Sequence, residues 1–274
     1  MINDITLGQF FPVNSPIHKL DPRVKILSSL IYIVAVFFAN GFSGYLFVAV
    51  FTYGVILMSK VPPKLYIKGL KPLVFIVVFT SAINLFMTEG QIAQIGSVPL
   101  KLGFLKITNE GIVMAVKMTA RLIFLVAGTS VLTFTTSPIV LTDGIESLLS
   151  PFRKIGVPAH ELAMMMSIAI RFIPTLLEET DKIMKAQASR GADFENGSII
   201  KRIKALVPIL VPLFISSFRR ADELALAMEC RCYRGGKGRT RLKSLKICHI
   251  DYAACAVMLM FVLGIAAINI FVGV

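Results

Sequence analysis

Hydrophobic positions in this 274-residue chain fall mostly in unbroken runs rather than in alternation. The runs cover about residues 24–39, 45–58, 70–87, 112–134 and 250–274. A helix that crosses a bilayer needs about 20 mostly apolar residues, with a range of about 17–25. The last three runs meet that length, and the first two meet it with flanking residues added. The turn-prone Asn40-Gly41-Phe42-Ser43-Gly44 separates the first pair. Five spans are expected.

Between residues 137 and 249 the pattern becomes periodic. Leu162, Met166, Ala169, Ile173, Leu176, Thr180, Ile183 and Gln187 recur at three- and four-residue intervals. Glu178, Glu179, Asp181, Lys182 and Lys185 fill the other face. That spacing predicts an amphipathic helix over about 158–189, some ~45 Å long, with a kink expected at Pro174. Leu141, Ile145, Leu148 and Phe152 predict a shorter one after Pro138. Residues 205–218 are apolar but interrupted by Pro208 and Pro212 and bracketed by basic residues. An apolar run of about 10–14 residues is more often a buried or interfacial helix than a span. No run in this region reads as long enough to cross. The expected fold is an all-α membrane protein with about five transmembrane helices plus long amphipathic cytoplasmic helices. Three regions follow: 1–136 with four spans, 137–249 as the cytoplasmic helical region, and 250–274 as the final span.

Composition agrees. The chain is 55% hydrophobic and only 16% charged, against about 25% charged in ordinary soluble domains. Its charge is lopsided, 29 basic against 16 acidic residues, a formal +13. Lys60, Lys64, Lys68 and Lys71 crowd the link between the second and third spans, which places that link in the cytoplasm. The uncharged 40–44 link then faces out, the N-terminus in, and the C-terminus out. The 137–249 region holds 18 of the 29 basic residues and is cytoplasmic by the same count. The basic run Arg231, Arg234, Lys237, Arg239, Arg241, Lys243 and Lys246 contains no acid and sits just before the last span. It suits anionic membrane lipid; nucleic-acid binding would want aromatic interleaving or a known module, and only Tyr233 is there.

Two helix ends repeat each other. Residues 180–191 align with 221–232 at an offset of 41, which matches Asp181 with Asp222, Ala186 with Ala227, and Arg190 with Arg231. Each ends in a small residue, an arginine and another small residue: Ser189-Arg190-Gly191 and Cys230-Arg231-Cys232. One reading is helix capping, since cations suit a helix C-terminus. The other is recognition, since a guanidinium pairs a carboxylate through two parallel hydrogen bonds. Two copies favour recognition of a partner with two equivalent acidic grooves.

These residues resemble the transmembrane T component (EcfT) of energy-coupling factor transporters, a branch of the ABC transporters. Leu20-Asp21-Pro22-Arg23-Val24-Lys25 looks like that family's opening signature, and Thr135-Thr136-Ser137-Pro138 like its approach to the cytoplasmic helices. Gln187-Ala-Ser-Arg-Gly-Ala-Asp193 and Ala227-Met-Glu-Cys-Arg-Cys-Tyr-Arg-Gly-Gly236 resemble its paired Ala-Arg-Gly motifs. The resemblance implies a multi-pass protein of a prokaryotic plasma membrane. It implies two cytoplasmic ATPase subunits as partners, one motif per subunit, and a separate membrane subunit that binds a vitamin or other micronutrient. The 137–249 helices then become coupling helices. Arg190 and Arg231 are the implied docking arginines, flanked by Ser189, Gly191, Cys230 and Cys232, with Arg234 a neighbouring candidate. Ser189, Cys230 and Cys232 depart from the motif, small residue for small. Without glycine at 232, the path of the chain after Arg231 is not given by the motif.

Other chemistry leaves little trace. The cysteines and the three histidines form no metal-site spacing, and no GxxxxGK[ST] or GxSxG occurs. No catalytic residue, metal or cofactor is assigned, and the chain is expected to hydrolyse nothing itself. Lys117 and Arg121 stand four residues apart in the fourth span, as a functional site or as residues that snorkel to the interface. Neither is given a role. Met164–Met166 read as core packing ahead of an adaptable partner surface. The alternative function is a self-sufficient permease whose path Lys117 and Arg121 would line.

Overall fold

The computed structural model describes residues 9–87, 94–95, 98–99, 101–102, 105–106, 108–192, 199–236 and 245–272. It is a helical protein. The helices are α1 (Pro22–Phe38), α2 (Gly41–Ser59), α3 (Pro63–Leu70), α4 (Val74–Met87), α5 (Asn109–Thr135), α6 (Pro138–Leu149), α7 (Ala159–Ser189), α8 (Ile199–Cys230) and α9 (His249–Val272). Among the described residues, strands are confined to two-residue pairs between α4 and α5, as Gln94–Ile95 with Val98–Pro99 and Lys101–Leu102 with Leu105–Lys106. The chain divides into two compact units, one containing Gln9–Ser137 and Leu245–Val274, the other Pro138–Ser244.

The first unit packs α1, α2, α5 and α9 around an aromatic centre. Phe261 of α9 stacks on Phe51 at 3.9 Å between ring centroids, and on Phe47 and Tyr32 at 5.7 and 5.9 Å. Val36, Val48 and Ile265 close the cluster. The Tyr32 hydroxyl meets Thr52 Oγ1 at 2.7 Å and donates to the Phe124 carbonyl of α5 at 3.0 Å. A second cluster joins Ile17, Val61, Tyr66, Val131 and Phe134. Outside these clusters the helices turn large apolar side chains outward, among them Phe38, Phe75, Phe79, Leu259, Met260 and Phe271. Water would not tolerate so continuous an apolar exterior, and a bilayer does.

Helix directions follow from end-to-end contacts. Asn269 of α9 donates to the Phe38 carbonyl at 2.7 Å, and Asp251 accepts from the Asp21 backbone N–H at 2.7 Å, so α1 and α9 run parallel. Lys25 of α1 donates to the Thr135 carbonyl, so α5 ends where α1 begins. Gly111 lies against the Asn84 and Leu85 carbonyls, which brings the end of α4 to the start of α5. That is the alternation five successive spans require.

Five described helices are long and apolar enough to cross a membrane, but they are not the expected five. They are Gly41–Ser59, Pro63–Leu85, Asn109–Thr135, Ala159–Ser189 and His249–Phe271. At 17 residues, α1 is at the short end of the spanning range. α7 has the length and composition of a span as well, with Arg171 the only charge between Leu162 and Leu177. The expectation of no spanning-length run between 137 and 249 is corrected on that point. Two smaller corrections concern links. Residues 42–44 are helical, because α2 starts at Gly41. The lysine-rich link is also helical: Lys64 and Lys68 ride on α3 and Lys71 on the 3-10 turn after it, all exposed, while Tyr66 packs edge-on against Phe134 at 5.0 Å.

α1 and α5 approach closely at Gly128. A Cβ there would stand 2.1 Å from Tyr32 Cε1, and the ring is pinned by its hydroxyl contacts. Gly128→Leu is expected to destabilise the membrane unit by about 1–3 kcal/mol. Gly54→Ala, which meets open space, should leave stability near wild type. A thermal melt in detergent checks both.

In the second unit α6 packs on α7, and α7 on α8. Pro174 in α7, and Pro208 and Pro212 in α8, are taken into continuous helices, so the apolar stretch before Phe218 is part of a 32-residue helix. Met165 and Met166 are 54% and 45% exposed, which leaves them as surface and not as core packing within the described residues.

Candidate functional site: two arginine tips

α7 and α8 end in the same hydrogen-bond pattern. At the first tip the Gln187 carbonyl accepts from Arg190 N–H and Ala192 N–H, both at 3.0 Å, and the Ala188 carbonyl accepts from Gly191 N–H at 2.9 Å. At the second, the Met228 carbonyl accepts from Arg231 N–H at 3.2 Å and Tyr233 N–H at 3.0 Å, and the Glu229 carbonyl from Cys232 N–H at 2.8 Å. Every donor and acceptor is shifted by 41 residues. These are Schellman-type ends, which need a left-handed residue just past the helix. Gly191 supplies it with φ +87°, and Cys232 supplies it with φ +55°.

The turn after Arg231, left open by the missing glycine, thus closes with the same hydrogen bonds as the turn after Arg190. Cys232 holds a conformation that costs an L-residue roughly 1–2 kcal/mol and glycine nothing comparable. Cys232→Gly is expected to preserve or slightly raise stability, and Cys232→Val to lower it. Chemical denaturation followed by helix content reads the order. The pair Gly235-Gly236 lies beyond the helix end at Cys230. Gly235 turns the chain with φ +78°, and Gly236 leaves no room for a Cβ beside His160, 2.9 Å from Cδ2. His160 Nδ1 in turn sits 3.0 Å from Glu146 Oε1.

Backbone groups satisfy these helix ends, so the guanidinium groups are not needed as caps. Arg190 and Arg231 are exposed, and their guanidiniums hold no hydrogen bond or ion pair among the described residues. Ser189, Gly191, Cys230 and Cys232 are exposed beside them, and Ser189 turns its hydroxyl to the Lys185 carbonyl of its own helix. Arg234 is exposed but lies past the repeated pattern. Asp193 of the first motif, and Lys237, Arg239, Arg241 and Lys243 of the basic run, lie outside the described residues.

One link between the two helices went unread in the sequence. Glu179 of α7 accepts from Arg220 Nη2 at 3.0 Å and from the Ser216 hydroxyl. Positions 179 and 220 are themselves 41 apart, so the repeat touches its own equivalent. A local two-fold relation produces such a contact. Each arginine stands 11 residues beyond it, about 16 Å of helix at 1.5 Å per residue. The shared offset of Glu179 and Arg220 was the available signal.

α8 also carries an apolar stripe. Val207, Leu210, Val211, Phe214, Ile215 and Phe218 recur at helical spacing, and each is between 47% and 67% exposed. Lys117 and Arg121 belong to α5 and not to this unit. Arg121 sits at the middle of α5, its guanidinium carbon 5.4 Å from the Phe37 ring centroid, with Nε buried and without a hydrogen-bond partner among the described residues.

Apolar helices of spanning length, a described set that alternates in direction, and an outward apolar surface define a multi-pass protein of the cell membrane. Comparison with known proteins gives the family. The CbiQ family model, described as cobalt transport protein, matches residues 13–242. The energy-coupling factor transporter transmembrane protein EcfT of Clostridium kluyveri is 62% identical over 263 residues, 95% of this chain and 96% of its own length. That of Thermosediminibacter oceani is 56% identical over 253 residues, 92% and 93% of the two chains. That of Bacillus subtilis is 46% identical over 245 residues, 89% and 91%. The chain belongs to the family of energy-coupling factor transporter transmembrane proteins.

Proposed function

We propose that the chain is the non-catalytic scaffold of an energy-coupling factor transporter, joining two cytoplasmic ATPase subunits to a separate substrate-binding membrane subunit for vitamin or micronutrient uptake. The observation that carries this reading is the hydrogen-bond pattern shared by the two tips, each presenting an exposed arginine whose guanidinium has no partner among the described residues. A pair of like subunits offers two like grooves, and a guanidinium fork suits an acidic one. Basic residues near α3 and before α9 favour a cytoplasmic location for the tips.

ATP-driven closure of the ATPases moves Arg190 and Arg231 together. The Glu179–Arg220 contact lies at equal helix length from both, so it acts as the pivot of that movement. The exposed stripe from Val207 to Phe218 offers the substrate-binding subunit an apolar surface on the same helix. The basic residues before α9 meet anionic lipid.

A self-sufficient permease is less favoured. A cavity of about 260 Å³ opens among α1, α2, α5 and α9, but Lys117 and Arg121 do not line it. Ser29, Thr52 and Thr135 in its wall turn their hydroxyls to carbonyls of their own helices, leaving little to recognise a polar solute.

Co-purification from native membranes, with identification of the bound chains, tests the proposal. Two ATPase chains and one further membrane protein are expected per copy. Substrate uptake by the purified chain alone in liposomes would contradict it.

A further inference from the structure

Asp21, Arg23, Lys25 and Asp251 form a charged cluster where three membrane helices terminate. Asp21 is the N-cap of α1 and accepts from the Arg23 N–H at 2.9 Å. Asp251 is the third residue of α9. Its Oδ2 accepts from the Cys248 N–H at 2.7 Å, the returning half of a capping box, while its Oδ1 accepts from the Asp21 N–H, also at 2.7 Å. One carboxylate therefore ties two helix starts. Lys25 donates to the Thr135 carbonyl at the end of α5 at 2.9 Å and to the His18 carbonyl at 3.2 Å. Arg23 bridges Asp21, at 3.2 Å, to the Leu245 carbonyl, at 3.0 Å.

Signs are placed as the helix ends demand, carboxylates at two N-termini and an ammonium at a C-terminus. The two acids and two bases cancel. Asp251, Asp21 and Lys25 are 2%, 6% and 8% exposed. Buried ion pairs are poor sources of stability compared with apolar packing, so a role in fixing geometry is the better account of this one.

Its position gives that role content. Two of the passages of the chain between its compact units lie at Ser137 to Pro138 and at Ser244 to Leu245. Thr135, held by Lys25, lies two residues before the first, and Leu245, held by Arg23, is the first residue after the second. Asp251 then pins the start of the helix that follows. Capping α1 and α9 needs only the aspartates; the bonds to Thr135 and Leu245 hold the crossings.

We propose that this cluster is a clasp of positioning residues that grounds both crossings, so that movement of the arginine-bearing unit reaches the membrane unit without being taken up as slack. The inference rests on the scaffold reading above. Without the clasp, the ATPases still dock and turn over, but their work is lost before it moves the substrate-binding subunit.

The test uses the whole complex, co-expressed with its ATPases and substrate-binding subunit and reconstituted in liposomes with ATP. Uptake and ATP hydrolysis are measured on the same sample, along with recovered complex. Arg23→Gln, whose side chain is partly exposed and whose loss is least disruptive to folding, is compared with Lys25→Met and Asp251→Asn. The expected result is near-normal recovery and hydrolysis with uptake per ATP reduced about 10-fold, and partial recovery of that ratio in Arg23→Lys. An unchanged ratio, or uptake and hydrolysis falling together with the amount of complex, would overturn the clasp. A wild-type complex without ATPases would overturn the scaffold reading and the clasp with it, whereas failure of the clasp alone leaves that complex intact.

Discussion

Reversing both tips in one chain, Arg190→Glu with Arg231→Glu, is expected to release both ATPase subunits and to abolish ATP-driven uptake. Truncating one partner of a buried, hydrogen-bonded charge pair at an interface costs about 2–5 kcal/mol. Reversal adds like-charge repulsion if the grooves are acidic. One tip still tethers its ATPase pair when the other is lost, because linked contacts act at high effective concentration. Single reversals should therefore weaken capture by roughly 10–100-fold, and the double reversal should reduce a pull-down to background. Arg→Lys at either tip should fall between, since an ammonium keeps the charge but not the fork. Circular dichroism should be unchanged throughout, because neither guanidinium holds a partner within the described chain.

The second large effect concerns the contact between α7 and α8. Glu179→Arg places two guanidiniums against each other where Glu179 now accepts from Arg220 and Ser216. The pair is partly exposed, at 23% and 38%, so its direct contribution to stability is only about 0.2–1 kcal/mol. Its effect on uptake should be larger, about 10-fold down, if it sets the angle at which both tips leave the crossing. ATPase capture should survive, since the tips themselves are untouched. The swap Glu179→Arg with Arg220→Glu restores an ion pair at the same place and should recover most of the uptake. Uptake assays on the four combinations give the coupling between the positions directly.

What was legible in the sequence follows physical lines. The apolar runs placed α2, α5 and α9 to within a few residues, because twenty consecutive hydrophobes have few alternatives. The three- and four-residue spacing placed α7, whose start came out one residue later than expected and whose end came out at Ser189 as expected. That α7 has the length and composition of a spanning helix was not legible, because its three- and four-residue spacing reads as an amphipathic stripe although Arg171 is the only charge between Leu162 and Leu177. The arginine tips were legible as a repeat. Their shared hydrogen-bond pattern was not, since motif reading expected glycine at 232 and could not see that cysteine also takes a left-handed conformation.

The clasp was half legible. Asp21, Arg23 and Lys25 stood out as part of a family-like signature without a physical role. Asp251 carried a signal that passed unread, an acid in the first turn of a very apolar helix, where a charge is expensive unless paired. What joins it to Asp21 is a contact across 230 residues of chain. No local pattern carries such information.

Site-specific cross-linking tests the central claim most directly. Photoreactive side chains placed at Ser189 and at Cys230 of one chain, in the complete transporter, report which ATPase copy each tip touches. The account predicts that each position cross-links to an ATPase subunit, and that the doubly cross-linked product contains one copy of this chain and two ATPases. Capture of a single ATPase by both positions, or no ATPase adduct from either, would contradict it.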